Sequence, residues 1–175
     1  MRHEDVEMFG FATALCWASA VFAQAPLKPD LAGLGFLVGQ WKSNDGKVAD
    51  TDGTSNGTST ISIEADGTAL LRRDHTETFD AKGKSSSGFD QIMMIYFENG
   101  AVRADYVDGE GHVIHYTSAS VVAGKSVTFD SAPGAGPAFR LVYELRTPAT
   151  LAVSFGMTQS GQFHPIASGT LSRGH

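Results

Sequence analysis

The chain has 175 residues, 42% of them hydrophobic and 18% charged, with a formal net charge of −6. That balance argues against a nucleic-acid-binding role, which needs a basic face, and no Lys/Arg cluster supplies one locally. The single cysteine, Cys16, leaves no disulfide framework.

Met8 to Phe22 is an apolar run broken only by small polar residues, and Ala23-Gln24-Ala25 follows it as an A-x-A pattern of the kind signal peptidase cleaves. The run is shorter than the roughly 20 apolar residues of a membrane span. Residues 1–25 are therefore expected to be a cleaved leader, and 26–175 a single exported domain, periplasmic or extracellular. The acidic lead (Glu4, Asp5 and Glu7 against Arg2) is unlike a leader's positive start and leaves Met8 as an alternative beginning. Cleavage after Ala23 is the alternative to cleavage after Ala25, and a buried N-terminal helix is the alternative to a leader. Cys16 would leave with the leader, and Leu15 before it is not the small residue a lipoprotein anchor wants.

Pro29-Asp30 followed by Leu31, Leu34, Phe36 and Leu37 predicts a short helical turn with Asp30 as N-cap. Gly33 and Gly35 hold it to a plug or lead-in. Ser43 to Asn56 is expected to be a loop, since it offers almost nothing to bury. Strands are then expected over 57–64 and 68–79, flanking Ala65-Asp66-Gly67, and over 87–97 and 101–107, flanking Glu98-Asn99-Gly100. Further strands are expected over 112–122, 127–130, 139–146, 151–158 and 163–171. Phe139, Leu141, Tyr143 and Leu145 share one strand face, as do Leu151, Val153, Phe155 and Met157. Phe89, Gln91, Met93, Ile95 and Phe97 form a third row. The fold class is all-β, a single antiparallel up-and-down barrel of about ten strands with a short helical lead-in; a sandwich is the alternative. Side chains alone fill about eight strands, so ten leave room for a small molecule.

The segment Leu34-Gly35-Phe36-Leu37-Val38-Gly39-Gln40-Trp41 resembles the opening of calycin barrels, the lipocalins and their lipocalin-like bacterial relatives. Phe155-Gly156-Met157, Gly161 and Gly169-Thr170-Leu171-Ser172-Arg173 are similar to the closing hairpin of that group, nitrobindin-like haem barrels and secreted bacterial lipocalin-like domains in particular. The resemblance implies that Trp41 packs across the closed end and that Arg173 covers it. It also implies binding of something apolar, and places His164 about two residues from a haem-ligating position.

Gly53-Thr54-Ser55-Asn56-Gly57 matches a nucleophile elbow by letter, but no strand delivers Ser55 and no helix follows it. Asp45, Asp50 and Asp52 fail the EF-hand spacing. His112 and His115 fall on opposite strand faces, and His75 opposes Asp74 in the same way. Arg103, Asp105, Tyr106, His115 and Tyr143 are candidates for acid–base or carbonyl-polarising work in a barrel enzyme, although Arg103 and Asp105 oppose the face of Tyr106. The expected function is binding of a small apolar or amphipathic molecule, with haem and a lipocalin-fold enzyme as alternatives. The expected contacts are Met93, Tyr96, Phe97, Tyr106, His115, Phe139, Tyr143, Phe155, Met157 and His164.

Overall fold

The computed structural model describes residues 25–49, 52–132, 136–160 and 162–174. The leader expected over 1–25 lies outside these residues except for Ala25. After a short helix α1 (Pro29–Ala32) and a 3-10 turn (Gly35–Leu37), the strands run in unbroken succession. They are β1 (Gly39–Val48), β2 (Gly53–Glu64), β3 (Ala69–Phe79), β4 (Ser85–Glu98), β5 (Ala101–Asp108), β6 (Val113–Val122), β7 (Ser126–Ser131), β8 (Ala138–Thr147), β9 (Thr150–Gln159) and β10 (Gln162–Arg173). Each pairs antiparallel with the next, and β10 returns to β1 with Trp41 opposite Arg173, so the sheet closes and has no free edge. The fold is a closed ten-strand up-and-down barrel. No helix among the described residues is long and apolar enough to cross a membrane.

Two expectations change. The stretch from Ser43 to Asn56 is largely strand, because β1 and β2 pair through it from Gly39↔Ile61 to Val48↔Gly53. Its small polar side chains conceal the pairing, which the backbone alone carries. Helix α1 begins one residue before Asp30: Lys28 is the N-cap, without a side-chain cap, and Pro29 takes the first helical position, where its missing N–H costs nothing.

The barrel is filled at one end and hollow at the other. Leu31, Leu34 and Leu37 are buried and plug the end where Trp41, Ile61, Leu70, Ile95, Phe129 and Leu151 pack. The plug is tied at both sides, by Lys28 N–H to the Gly67 carbonyl and by Gly124 N–H to the Gly33 carbonyl, each at 2.9 Å. Trp41 Nε1 donates to the Leu37 carbonyl at 2.8 Å. The Arg173 guanidinium lies 4.3 Å from the Trp41 ring centre and donates to the Val38 carbonyl at 2.9 Å. Gly39 has φ of +138°, and a Cβ there would stand 2.5 Å from Arg173 Nη1. The glycine of Gly39-Gln40-Trp41 is thus required by its backbone, and a side chain there would also have to displace the arginine that covers the tryptophan.

Candidate functional site: the barrel interior

The open half of the barrel encloses a cavity of about 700 Å³. Its wall is apolar: Phe139 and Phe155 stack with ring centres 5.7 Å apart, and Met157, Leu141, Val153 and Ile166 extend the surface. Its floor is polar and comes chiefly from β3, where Leu70, Arg72, Asp74, Thr76 and Thr78 fall at period two on the inner face.

Arg72 is the centre of that floor. It is 4% exposed, and its Nη1 donates to the Tyr143 hydroxyl at 2.5 Å. Nη2 reaches Gln91 Oε1 at 3.4 Å, and the guanidinium lies 5.7 Å from the Tyr106 ring centre. Nε stands 3.0 Å from Asp74 Oδ2, close enough for an ion pair, yet the contact lacks the direction of a hydrogen bond. Asp74 Oδ1 is buried and accepts no hydrogen bond from any described group. Gln91 is oriented by its Nε2, which donates to Thr76 Oγ1 at 2.7 Å. The Tyr106 hydroxyl lies 2.9 Å from Asp108 Oδ2 and 3.3 Å from Gln91 Oε1, and its one proton serves the nearer carboxylate.

The titration behaviour follows from burial and these partners. Burial and the hydrogen bond to Asp108 push the Tyr106 phenol well above its ordinary 10. Burial raises Tyr116 likewise, and raises Tyr143 in spite of the opposing Arg72 charge. Burial opposes the Arg72 charge, but Asp74 and the Tyr143 oxygen outweigh it and hold the guanidinium protonated. Asp108 resists the upward push of its own burial because the His112 N–H, the Tyr106 hydroxyl and the His112 ring stabilise its carboxylate, so it ends below the usual 3.8. The interior tyrosines are therefore neutral hydrogen-bond donors across the ordinary pH range, and none is a poised base.

The structure brings Tyr106, Phe139, Tyr143, Phe155 and Met157 to the cavity. It does not bring the other five. Met93 points inward but lies in the packed half, fully buried below the cavity. Tyr96 is on the outer face of β4, where its hydroxyl donates to Asp105 at 3.0 Å. Phe97 is 40% exposed near the closed end, two residues beyond the last buried inward position, Ile95. His115 is exposed on the outer face of β6, its Nδ1 2.5 Å from Asp105. His164 pairs in register with Met157, but it lies past the irregularity between Pro165 and Ala167, is exposed, and is not among the cavity-lining residues. Of the acid–base set, only Tyr106 and Tyr143 face inward; Arg103 pairs with Glu98 at 3.4 Å outside, beside the Tyr96–Asp105–His115 network. Ser55 stands in β2 opposite Gly46, at the cavity rim, with no histidine bonded to it among the described residues. Asp50 lies outside the described residues, and Asp45 accepts from the Thr170 N–H at 3.3 Å.

Arg72, Asp74 and Thr76 are among the site residues that sequence reasoning missed. Their signal was present: they continue at period two from Leu70, with His75 on the opposite face at 2.7 Å from Asp90. At the mouth, ligand atoms of Asp108, Glu110 and His112 come within 4.8 Å of one another. The Asp108 oxygens there already accept from Glu110 N–H, His112 N–H and Tyr106, which makes the cluster a hydrogen-bonded turn. A second hollow of about 460 Å³ lies against Lys47, Glu144 and Arg146, and Arg146 pairs with Glu144 there.

No family model and no curated protein matches the chain. Among solved structures it is similar to the S-type phycobiliprotein lyase CPES from Guillardia theta, with a TM-score of 0.51 and 12% identity over 80% of this chain and 89% of the lyase. It is also similar to a de novo designed fluorescence-activating β-barrel, with a TM-score of 0.45 and 14% identity over 84% of this chain and 100% of the design. At 12% identity the likeness to the lyase extends to the fold alone.

Proposed function

We propose that this protein binds a small amphipathic molecule within its barrel, as calycin-type proteins of the lipocalin-like kind do. The observation that carries the reading is the cavity of about 700 Å³ with an aromatic wall and a hydrogen-bonded floor of Arg72, Tyr143 and Gln91. That volume and that division of surface are those of a preformed ligand site. A ligand burying about 200 Å² of apolar surface against Phe139, Phe155 and Met157 gains about 5 kcal/mol from leaving water. Association costs consume part of that gain, so the floor must add affinity as well as orientation.

The floor offers donors and acceptors for a bound molecule: its tyrosines are held neutral, Arg72 is paired with Asp74 and Tyr143, and Asp74 Oδ1 is left free to accept a hydrogen bond. The histidine that the haem alternative would use, His164, does not line the cavity, so nothing among the described interior residues favours that alternative. Export of a domain beginning near residue 26 belongs to the same proposal, supported by the apolar run and Ala23-Gln24-Ala25; N-terminal sequencing of the protein isolated from its cells tests it.

The uncharged dye prodan tests the binding. It is expected to brighten on entering the wild-type barrel at one molecule per chain. Ala167→Trp, which fills the cavity from β10, is expected to abolish this while leaving the far-ultraviolet circular dichroism unchanged. No brightening in the wild type, or brightening untouched by the tryptophan, refutes an interior site.

A further inference from the structure

We infer that the occupant of this cavity carries an uncharged head group that both donates and accepts hydrogen bonds, amide-like rather than carboxylate or ammonium; this rests on the binding reading above. Three observations converge on it.

The first is the charge lining the cavity. Arg72 is the one Lys or Arg among the lining residues, against Asp74, Asp108 and Glu110. A lipocalin-type site for a carboxylate would need an uncompensated cation at its floor, and this floor has none. The second is the commitment of Arg72. All three of its nitrogens face protein partners: Nε toward Asp74 at 3.0 Å, Nη1 to Tyr143 at 2.5 Å and Nη2 to Gln91 at 3.4 Å. A carboxylate brought to Arg72 meets the Asp74 charge, and an ammonium brought to Asp74 meets Arg72. Either ion would be stripped of water beside a like charge, where water screens little. A neutral dipole meets no such penalty.

The third is the capacity left over. The Tyr143 oxygen accepts from Arg72, while its own proton has no acceptor among the described residues. Asp74 has acceptor capacity to spare, since Oδ1 accepts nothing and Oδ2 meets Arg72 off-axis, which leaves the Arg72 Nε–H unbonded beside it. Buried polar groups left unmade are costly, so a ligand that supplies both an acceptor for Tyr143 and a donor for Asp74 gains more than one that supplies either alone. A primary or secondary amide, or a lactam, presents that pair on adjacent atoms.

The test uses three probes with one tail, decanamide, decanoate and decylammonium, each competing with prodan for the wild-type protein at neutral pH. Decanamide is expected to displace prodan at a concentration at least about tenfold lower than either ion, the scale of one unfavourable close charge contact. Asp74→Asn removes the compensating carboxylate and is expected to reverse the order, with decanoate gaining at least about tenfold. Tyr143→Phe keeps the charge pair and removes one donor; it is expected to weaken decanamide several-fold and leave decylammonium unchanged. It serves equally if the Asn variant does not fold. Decanoate or decylammonium binding the wild type as well as decanamide overturns the inference while prodan binding upholds the site. Failure of prodan itself to enter removes the binding reading, and this inference with it.

Discussion

Arg72→Met tests whether the floor is the interdependent unit its geometry describes. The substitution keeps an unbranched apolar stem, though a shorter one, and removes the charge that faces Asp74 at 3.0 Å and the donor that reaches Tyr143 at 2.5 Å. Breaking a buried ion pair from one side leaves the other charge without compensation, at a cost of about 3–5 kcal/mol. The Asp74 side chain is 16% exposed, and water in the open cavity solvates part of it. The loss is therefore expected nearer the lower figure, about 3 kcal/mol. That is a large fraction of the roughly 5–15 kcal/mol that holds a domain folded, and it corresponds to a midpoint lowered by about 6–12 °C. Arg72→Met/Asp74→Asn removes both charges and is expected to return within about 1 kcal/mol of wild type. Urea denaturation, with equal slopes verified across the four proteins of the cycle, measures the coupling. Singles that each cost less than about 1 kcal/mol, or a double whose loss equals their sum, would show that Arg72 and Asp74 do not act together.

The remaining predictions concern titration and the closed end. All four tyrosines are raised above 10: Tyr96 by its hydrogen bond to Asp105, and Tyr106, Tyr116 and Tyr143 by burial. Ultraviolet titration of the native protein at pH 10 is expected to show far less than the half-ionisation of free tyrosine. Because the unfolded chain ionises first, the stability these groups contribute is whole below about pH 10 and declines above it; half-ionisation of the native chain at pH 10 would refute the burial argument. Asp108, held below 3.8 by the His112 N–H and the Tyr106 hydroxyl after its burial is overcome, contributes stability above the ordinary carboxylate value and loses it as pH falls through its own lower one. Asp108→Asn is accordingly expected to flatten the acid limb of a stability–pH curve, and an unchanged limb assigns the acid sensitivity elsewhere. His75, 2.7 Å from Asp90, titrates above 6.5 and is expected to return toward it in Asp90→Asn, read from its ring proton shifts by NMR. Gly39→Ala places a methyl group against Arg173 at a φ of +138° and is expected to cost about 1–3 kcal/mol. Its thermal midpoint, if unchanged, would mean that the arginine cover over Trp41 yields freely.

How much of this the chain discloses depends on whether a strand's inner row stays apolar. Leu141, Tyr143, Leu151 and Val153 alternate cleanly, and their rows continue through Phe139, Phe155 and Met157 as the apolar wall of the cavity, so strands drawn from that alternation agree with the observed ones to within a few residues. On β1 to β3 the same rule fails. The inward positions of β1 and β2 near the mouth are Ser43, Gly46, Ser55 and Gly57, which read as a loop because an open cavity asks for no apolar side chain there. Along β3 the inner row passes from Leu70 to Arg72, Asp74, Thr76 and Thr78, and the loss of hydrophobic alternation marks where packing ends and the cavity begins. Tyr96 was misplaced because a strand with apolar residues on both faces gives no sign of which face is inward, whereas Phe97 continues the inward row but lies beyond its buried end at Ile95. In a closed barrel of this kind, a ligand site announces itself as an inward row that turns polar in mid-strand. The residue at that turning point, here Arg72 with Asp74 one inward step further, is the first to test for recognition of the ligand.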